Sequence, residues 1–288
     1  MSGLIYGSVA LLPCVAVFAL WRALPSLVVR RGRIAESDAR GTAFVVGAVL
    51  GLLLGVGTAS YSTASIAGLP LLVALVTLLL VATLGLIGRY YLFLRSRTTP
   101  ALLLLAGLFP AVIKAGELTA GPVAATGAVL AGVMILVPIG ISAAAYLVNQ
   151  FEGYGDVGMA AVAIAALSGA AFLEGETEAL LMLLAGFGAT IPLLAYASRR
   201  PAKTLVGDVG TFTVGALVAV SAVSGGLELP AAIIFIPYFL NLGLRASGRS
   251  LGQLVMRVSG GSQRRSALIL IGSEAVFGLI AVLMCAQS

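Results

Sequence analysis

Long apolar runs separated by short polar connections dominate the sequence, as in LPLLVALVTLLLVATLGLI at residues 69–87. A helix crosses a bilayer with about 20 apolar residues, whereas strands of a membrane barrel alternate apolar and polar residues. The pattern therefore predicts an all-α integral membrane protein with about ten transmembrane helices. The expected spans are residues 3–20, 42–59, 66–87, 100–113, 124–148, 158–172, 179–197, 211–223, 229–244 and 267–286.

Charged residues separate between the two faces that these spans define. Every Lys and Arg except Lys114 falls near or within the connections on one face. The opposite face carries acidic residues, namely Glu117, Glu174, Glu176, Glu178 and Glu228. Positive charge marks the cytoplasmic side of a membrane protein. We therefore expect a multi-pass protein of the cell membrane with both termini on the non-cytoplasmic face.

Composition supports this class and excludes others. Hydrophobic residues make up 60% of the 288 residues and charged residues only 10%, whereas soluble domains average about 25% charged. We interpret the net charge of +6 as a topology signal, so no nucleic-acid partner is expected. Histidine is absent, which removes the commonest general base and zinc ligand. Cys14 and Cys285 lie in apolar runs, and residues 1–288 are predicted to form a single polytopic membrane domain.

Glycine stripes occur within two of the apolar runs, GAVLGLLLGVG at residues 47–57 and GAVLAG at residues 127–132. Small residues allow helix backbones to approach closely in lipid. We predict that both stripes pack against neighbouring helices.

Two glycine-rich connections on the basic face contain the polar residues most suited to chemistry. The connection after the fifth span supplies Asn149, Glu152 and Asp156. The connection after the seventh span supplies Lys203 and Asp208. Glycines let backbone approach a ligand, helix N-termini favour phosphate, and Asp oxygens bind magnesium. These features predict a magnesium–diphosphate site, but helix capping by Asp156 and Asp208 explains them equally well.

A family resemblance favours the first interpretation. The run PAKTLVGDVGTFTVGALVA (residues 201–219) resembles the Pro-Ala-Lys…Gly-Asp-x-Gly-Ser/Thr signature of the polyprenyl-phosphate N-acetylhexosamine-1-phosphate transferases. This family includes phospho-MurNAc-pentapeptide translocase and dolichyl-phosphate GlcNAc-1-phosphotransferase. The matching residues of this run are Pro201, Ala202, Lys203, Gly207, Asp208, Gly210, Thr211 and Gly215. The loop NQFEGYGDVGMA is similar to the family's Asn-x-x-(Asp/Glu/Ala)-Gly-x-(Asn/Asp)-Gly loop through Asn149, Glu152, Gly153 and Tyr154.

The resemblance implies a reaction and a set of partners. Such enzymes move a sugar-1-phosphate from a magnesium-bound nucleotide-sugar to a polyprenyl or dolichyl phosphate at the cytoplasmic membrane face. It implies that Asp208 is a catalytic residue and the Mg²⁺ ligand, and we expect Asp156 to be a second catalytic residue. It also implies a substrate-binding role for Asn149, Glu152, Lys203, Gly207 and Gly210. We expect Arg89, Arg264 and Arg265 to bind substrate as well, as cations of the same face. A homodimer is a further expectation.

The largest departure from the family pattern lies at the end of the third span. The family has an Asp-Asp pair there, whereas this chain has Gly88 and Arg89 within GLIGRYY. A lipid phosphate is already ionised near neutral pH, so it can attack with little help from a base. In that interpretation Arg89 is a fixed cation for the lipid phosphate.

Two smaller departures affect the other loops. Gly155 occupies the family's Asn/Asp position, and Asp156 is displaced by one residue. The last basic connection lacks the family's histidines or its Arg-His-Arg cluster. Its arginines either bind phosphate or only set the topology, and these are Arg249, Arg257, Arg264 and Arg265.

Two other functions are left open. A non-catalytic relative that binds lipid or a partner protein explains the arginine at the acidic position. A transporter has less support because most polar groups lie near helix ends. The exception is Glu274, which is either a packing contact or a functional carboxylate.

Overall fold

The computed structural model describes residues 2–28, 36–63, 69–90, 98–120, 126–151, 156–197 and 207–287. Within these ranges every regular element is a helix, and no strand occurs. The helices are α1 (Ser2–Val28), α2 (Glu36–Thr63), α3 (Leu69–Tyr90), α4 (Thr98–Ala120), α5 (Gly127–Asn149), α6 (Asp156–Leu173), α7 (Thr177–Ala197), α8 (Gly207–Ser224), α9 (Glu228–Ile234), α10 (Ile236–Ala246), α11 (Leu251–Val258) and α12 (Gln263–Cys285).

The helices confirm the predicted class of helical membrane protein. Six of them are long and apolar enough to cross a membrane, namely α3, α4, α5, α7, α8 and α12. The bent pair of α9 and α10 adds a seventh candidate, while shorter apolar segments lie in α1, α2 and α6. Each predicted span therefore coincides with a helix or with this pair. The count of ten spans and the side of the termini stay predictions.

Helix α8 forms the centre of the bundle. It packs against α2, α3, α5 and α7, and 89% of its span is buried, compared with 28% for α5 and α12. Its buried side chains are mostly Val, Ala, Gly and Thr. Small residues let several helices approach one axis in lipid. As a result, the first turn of α8 is held from several sides.

The predicted ninth span is broken in the structure. Helices α9 and α10 meet at Phe235 with a bend of 51°. Pro237 lies at the start of α10, and proline has no N–H to donate to the carbonyl four residues earlier. The break thus has an ordinary cause, because kinks of this size occur mainly at proline.

The two predicted glycine stripes differ in their packing. A methyl group built on Gly51 of α2 would lie 2.7 Å from the Ala185 Cβ of α7, so this stripe is packed as predicted. A methyl group on Gly127 or Gly132 of α5 would meet no described atom within 4 Å. The prediction of close packing is wrong for the second stripe, because no described helix covers that face of α5.

The last basic connection contains a short helix that the hydropathy pattern did not reveal. It contains α11, whose N-terminus has a capping box formed by Ser250 and Gln253. Leu251 and Val255, one turn apart, both pack against the core. The pattern of Ser, two residues and Gln before an apolar run is a helix-start signal, and it explains why a helix forms here.

Charges in the described residues follow the predicted separation. We define the basic end of the bundle as the end where α5 and α10 finish and α8 begins. The basic residues after Leu244 lie at this end, whereas Lys114 and Glu117 pair at 3.7 Å near the end of α4. Glu274 is fully buried within α12, and neither carboxylate oxygen has a hydrogen-bond partner among the described residues.

Candidate functional site

Close packing between α5 and α8 sets the geometry of the site. A methyl group on Gly215 of α8 would lie 2.6 Å from the Ala145 Cα of α5, so the two backbones are in contact. One helical turn is about four residues, and the chains run in opposite directions. One turn towards the basic end therefore brings Thr211 of α8 opposite Asn149 of α5.

The contact that follows joins the two loops identified from the sequence. The Asn149 Nδ2 donates to the Asp208 Oδ1 at 3.0 Å and to the Thr211 Oγ1 at 2.8 Å. The Thr211 hydroxyl donates to the Gly207 carbonyl oxygen at 3.0 Å, which keeps its oxygen available to Asn149. The structure thus brings Asn149 and Asp208 together, as the family resemblance implies. Their catalytic and binding roles stay predictions.

The first turn of α8 begins earlier than predicted. The helix starts at Gly207, not near Thr211, so Asp208 lies within the first turn instead of in a preceding loop. Gly207 has φ of +57°, a conformation that glycine adopts without steric cost. A negative side chain is stabilised at a helix N-terminus. Helix stabilisation by Asp208 and a role in the site are therefore compatible, since its Oδ1 is also the acceptor of Asn149.

Helix α3 also contacts the first turn of α8. A methyl group on Gly85 would lie 3.0 Å from the Val209 Cα, so α3 touches α8 beside Asp208. Residues four apart share a helix face. The backbone of Arg89, one turn after Gly85, is consequently at the basic end on the face of α3 that meets α8. Its side chain lies outside the described part of the structure.

Helix α10 contacts the end of α5, which the sequence analysis did not predict. Arg245 donates through Nη1 to the Gln150 Oε1 and through Nη2 to the Gln150 carbonyl oxygen, the latter at 2.7 Å. Phe151 is buried and packs edge-to-face on Tyr238, with ring centroids 5.1 Å apart. Seven residues separate Tyr238 from Arg245, a spacing that repeats a helix face. That spacing was the available signal, but the arginine looked like a topology charge.

The remaining predicted site residues divide into two groups. Glu152 and Lys203 lie outside the described residues, and Asp156 is placed only as the first residue of α6. Arg264 and Arg265 are exposed in the first turn of α12. No described hydrogen bond or ion pair joins these two arginines to Asn149 or Asp208, so the structure does not bring them into the site.

The described residues fit a magnesium ion only if a bound diphosphate supplies further oxygen ligands. The described residues contain no group of three His, Cys, Asp or Glu side chains suited to a metal. Magnesium commonly binds through one or two carboxylates together with substrate phosphates and water. Asp208 supplies one such carboxylate beside the phosphate-favouring start of a helix. The donor set therefore matches a metal that arrives with a diphosphate.

An apolar groove of about 660 Å³ runs along α5 and ends near the site. Its lining extends from Val129 to Leu147, two residues before Asn149. At 1.5 Å per residue that is roughly 27 Å, close to the thickness of a bilayer's hydrocarbon core. Residues of α8, α9 and α10 form the other wall, including Phe235 and Phe239. The groove has the dimensions and chemistry to take a long hydrocarbon chain.

Comparison with known proteins supports the family resemblance. No family model matches the chain. A Saccharolobus solfataricus protein provisionally named UDP-N-acetylglucosamine–dolichyl-phosphate N-acetylglucosaminephosphotransferase is 28% identical over 52% of this chain and 55% of its own length. A provisionally named glycosyltransferase of Methanocaldococcus jannaschii is 31% identical over 39% of this chain and 38% of its own. The phospho-N-acetylmuramoyl-pentapeptide-transferase of Streptococcus thermophilus is 28% identical over 35% and 29%, respectively. The matched segments thus span about half or less of these relatives.

Proposed function

We propose that this chain, a relative of the polyprenyl-phosphate N-acetylhexosamine-1-phosphate transferases, moves a sugar-1-phosphate from a nucleotide-sugar to a polyprenyl or dolichyl phosphate. An oxygen of the lipid phosphate attacks the phosphorus that carries the sugar. The bond between the two phosphates of the nucleotide-sugar breaks, and the nucleoside monophosphate leaves with the electron pair. The products are a lipid-diphosphate-sugar and, from a UDP-sugar, UMP.

The hydrogen bond between Asn149 and Asp208 is the observation that carries this proposal. It joins the two loops whose sequences resemble the family's, although 59 residues separate them along the chain. Helix packing through Gly215 determines this contact, so the pair is held in place before any substrate arrives. Pre-positioned polar groups are what phosphoryl transfer requires of a protein.

The apolar groove supports a lipid acceptor. It follows α5 towards the basic end, where Asn149 and Asp208 lie. A prenyl chain that occupied the groove would present its phosphate close to the start of α8. The N-terminal amides of that helix favour an anion, and we assign the lipid phosphate and the sugar diphosphate to this region.

Each residue then has a defined task. Magnesium, when bound with the diphosphate, neutralises its charge. Asp208 would hold the magnesium ion at the start of α8, and Asn149 orients Asp208 through its amide. Glu152 and Lys203 complete the nucleotide-sugar end, while Arg89 attracts the lipid phosphate in place of the missing acidic pair.

The wider setting is part of the same proposal. We place the reaction on the cytoplasmic face of the cell membrane, because the site lies at the basic end of the bundle. The proposal also includes ten spans with both termini on the opposite face, and a homodimer as the assembly. Cysteines introduced at positions 154 and 175 should be accessible from opposite sides of the membrane, and accessibility from one side only would contradict the topology.

The test is UMP release by purified protein given UDP-GlcNAc, polyprenyl phosphate and Mg²⁺. We expect release to require all three. The matched variant is Asp208→Asn, which keeps the shape of the side chain and one acceptor oxygen for Asn149 but removes the charge. We expect it to lose activity by about 100-fold or more, in line with the loss of other charge-stabilising groups. Near-normal turnover by Asp208→Asn would contradict the assignment of Asp208.

The alternative is a non-catalytic relative, which the Gly88-Arg89 sequence favours. In that case Arg89 occupies the position of the metal permanently. Magnesium titration of the purified protein, with and without Arg89→Ala, separates the two functions. Binding by the unmutated protein supports the transferase, and binding that appears only in Arg89→Ala supports the non-catalytic relative.

A further inference from the structure

Helix α10 contacts the end of α5 through one face. Tyr238, Asn241 and Arg245 are spaced by three and four residues, so they form a single stripe along α10. Tyr238 packs on Phe151, Asn241 accepts a hydrogen bond from the Leu251 N–H at the start of α11, and Arg245 binds Gln150. The stripe therefore ties α5 to α10 and α11.

Arg245 donates hydrogen bonds to the C-terminal end of α5. Gln150 is the C-cap of this helix, and the last carbonyls of a helix have no partner within it. The two nitrogens of Arg245 reach the Gln150 carbonyl oxygen and side-chain oxygen together. A guanidinium holds its N–H donors in a fixed planar arrangement that can bind two acceptors at once, whereas a lysine ammonium does not.

Both acceptors of Arg245 are neutral groups. Among the described residues no carboxylate forms an ion pair with this guanidinium, and its side chain lies at the exposed basic end. The two contacts fix the backbone of residue 150 relative to α10. Asn149, the preceding residue, is fixed on its other side by Asp208 and Thr211.

We propose that Arg245 is a positioning residue that holds Asn149 against Asp208 by fixing Gln150 and Phe151 at the end of α5. This inference rests on the proposed function for its kinetic consequence, since Asn149 and Glu152 belong to the nucleotide-sugar end of the site. Its structural consequence is independent of any activity.

The experiment combines hydrogen–deuterium exchange with steady-state kinetics on the full-length protein. The variants are Arg245→Ala, Arg245→Lys and Gln150→Ala. The control is Arg249→Ala, which removes an exposed arginine four residues later, after the end of α10. Each is checked for a single symmetric peak in size-exclusion chromatography. If Arg245→Ala does not fold, Arg245→Lys keeps the charge and side-chain length and takes its place.

We expect peptides covering residues 146–157 to exchange faster in Arg245→Ala and Arg245→Lys, while Arg249→Ala matches the unmutated protein. The KM for UDP-GlcNAc should rise about 10-fold or more, since small misplacements of a site residue are costly. The KM for polyprenyl phosphate should not change. The effects of Arg245→Ala and Gln150→Ala should be less than additive, because Gln150→Ala removes one of the two hydrogen bonds that Arg245→Ala removes.

The outcomes separate the two proposals. Faster exchange in a protein that shows no transfer activity supports the positioning role and contradicts the transferase. Unchanged exchange in Arg245→Ala overturns the positioning role, whatever the activity. An effect confined to the KM for polyprenyl phosphate, with unchanged exchange, also overturns it and assigns Arg245 to the lipid phosphate.

Discussion

Helices α2 and α5 both carry glycines at short intervals, yet the surroundings of these glycines differ. In α2, Gly51 lies so close to Ala185 of α7 that an added methyl group would be 3.1 Å from its Cα. In α5, Gly132 and Gly140 have no described atom near the position of a Cβ, and both line the apolar groove. Small residues therefore have two effects in this protein. In α2 they allow a neighbouring helix to approach closely, and in α5 they leave the apolar groove open.

The difference follows from what covers each face. Helix α2 packs against both α1 and α7, and close backbone contact is a main source of stability between helices in lipid. Helix α5 packs against α4 and, through Ala145, against α8. Gly132 and Gly140 lie on another face, where side chains would fill the groove. We infer that glycine is used there to keep the groove open.

The largest effect should come from filling the packed stripe. Gly51→Leu in α2 would force the side chain into α7, and overpacking typically costs about 1–3 kcal/mol. The same change at Gly132 meets open space. We expect thermal unfolding in detergent to occur at a clearly lower temperature for Gly51→Leu and to be nearly unchanged for Gly132→Leu. An equal decrease in unfolding temperature in the two variants would contradict the difference between the two stripes.

The next effect should appear in the groove. Gly140→Leu would narrow it without touching Asn149 or Asp208, so the KM for polyprenyl phosphate should rise about 10-fold, which corresponds to about 1.4 kcal/mol. The KM for UDP-GlcNAc should remain the same. Gly127→Leu is the matched control, since Gly127 is also uncovered but does not line the groove. A rise in both variants, or in neither, would show that the groove does not hold the lipid.

The smallest effect should be at the far end of the groove. Glu228 is the one acidic residue in its described lining, and it is exposed on the end away from the site. Glu228→Gln changes an exposed surface group, and such changes usually stay within about 0.5 kcal/mol. We expect stability and both KM values to change less than 2-fold. A large change in either KM value would indicate that substrates bind at the end of the bundle away from Asn149 and Asp208, and would contradict the proposed site.

The sequence predicted the parts of this protein that depend on local pattern. Hydropathy located the helices, and the two glycine-rich loops pointed to Asn149 and Asp208, which the structure joins. Pattern alone did not show which glycine stripe is covered, because this depends on helices far away in the chain. For the same reason, the link from Arg245 to Gln150 was missed, since 95 residues separate its partners. The short helix α11 had a local signal at Ser250 and Gln253 and was predictable.

The most direct test of the central claim follows two labels from the nucleotide-sugar. UDP-GlcNAc is prepared with ³H in the sugar and ³²P in the phosphate next to it, and is incubated with purified protein, polyprenyl phosphate and Mg²⁺. The account predicts that both labels enter the organic phase in equal amounts, that UMP remains in water, and that Asp208→Asn abolishes the transfer. Sugar label that enters without the phosphate, or no label in the lipid at all, would contradict it.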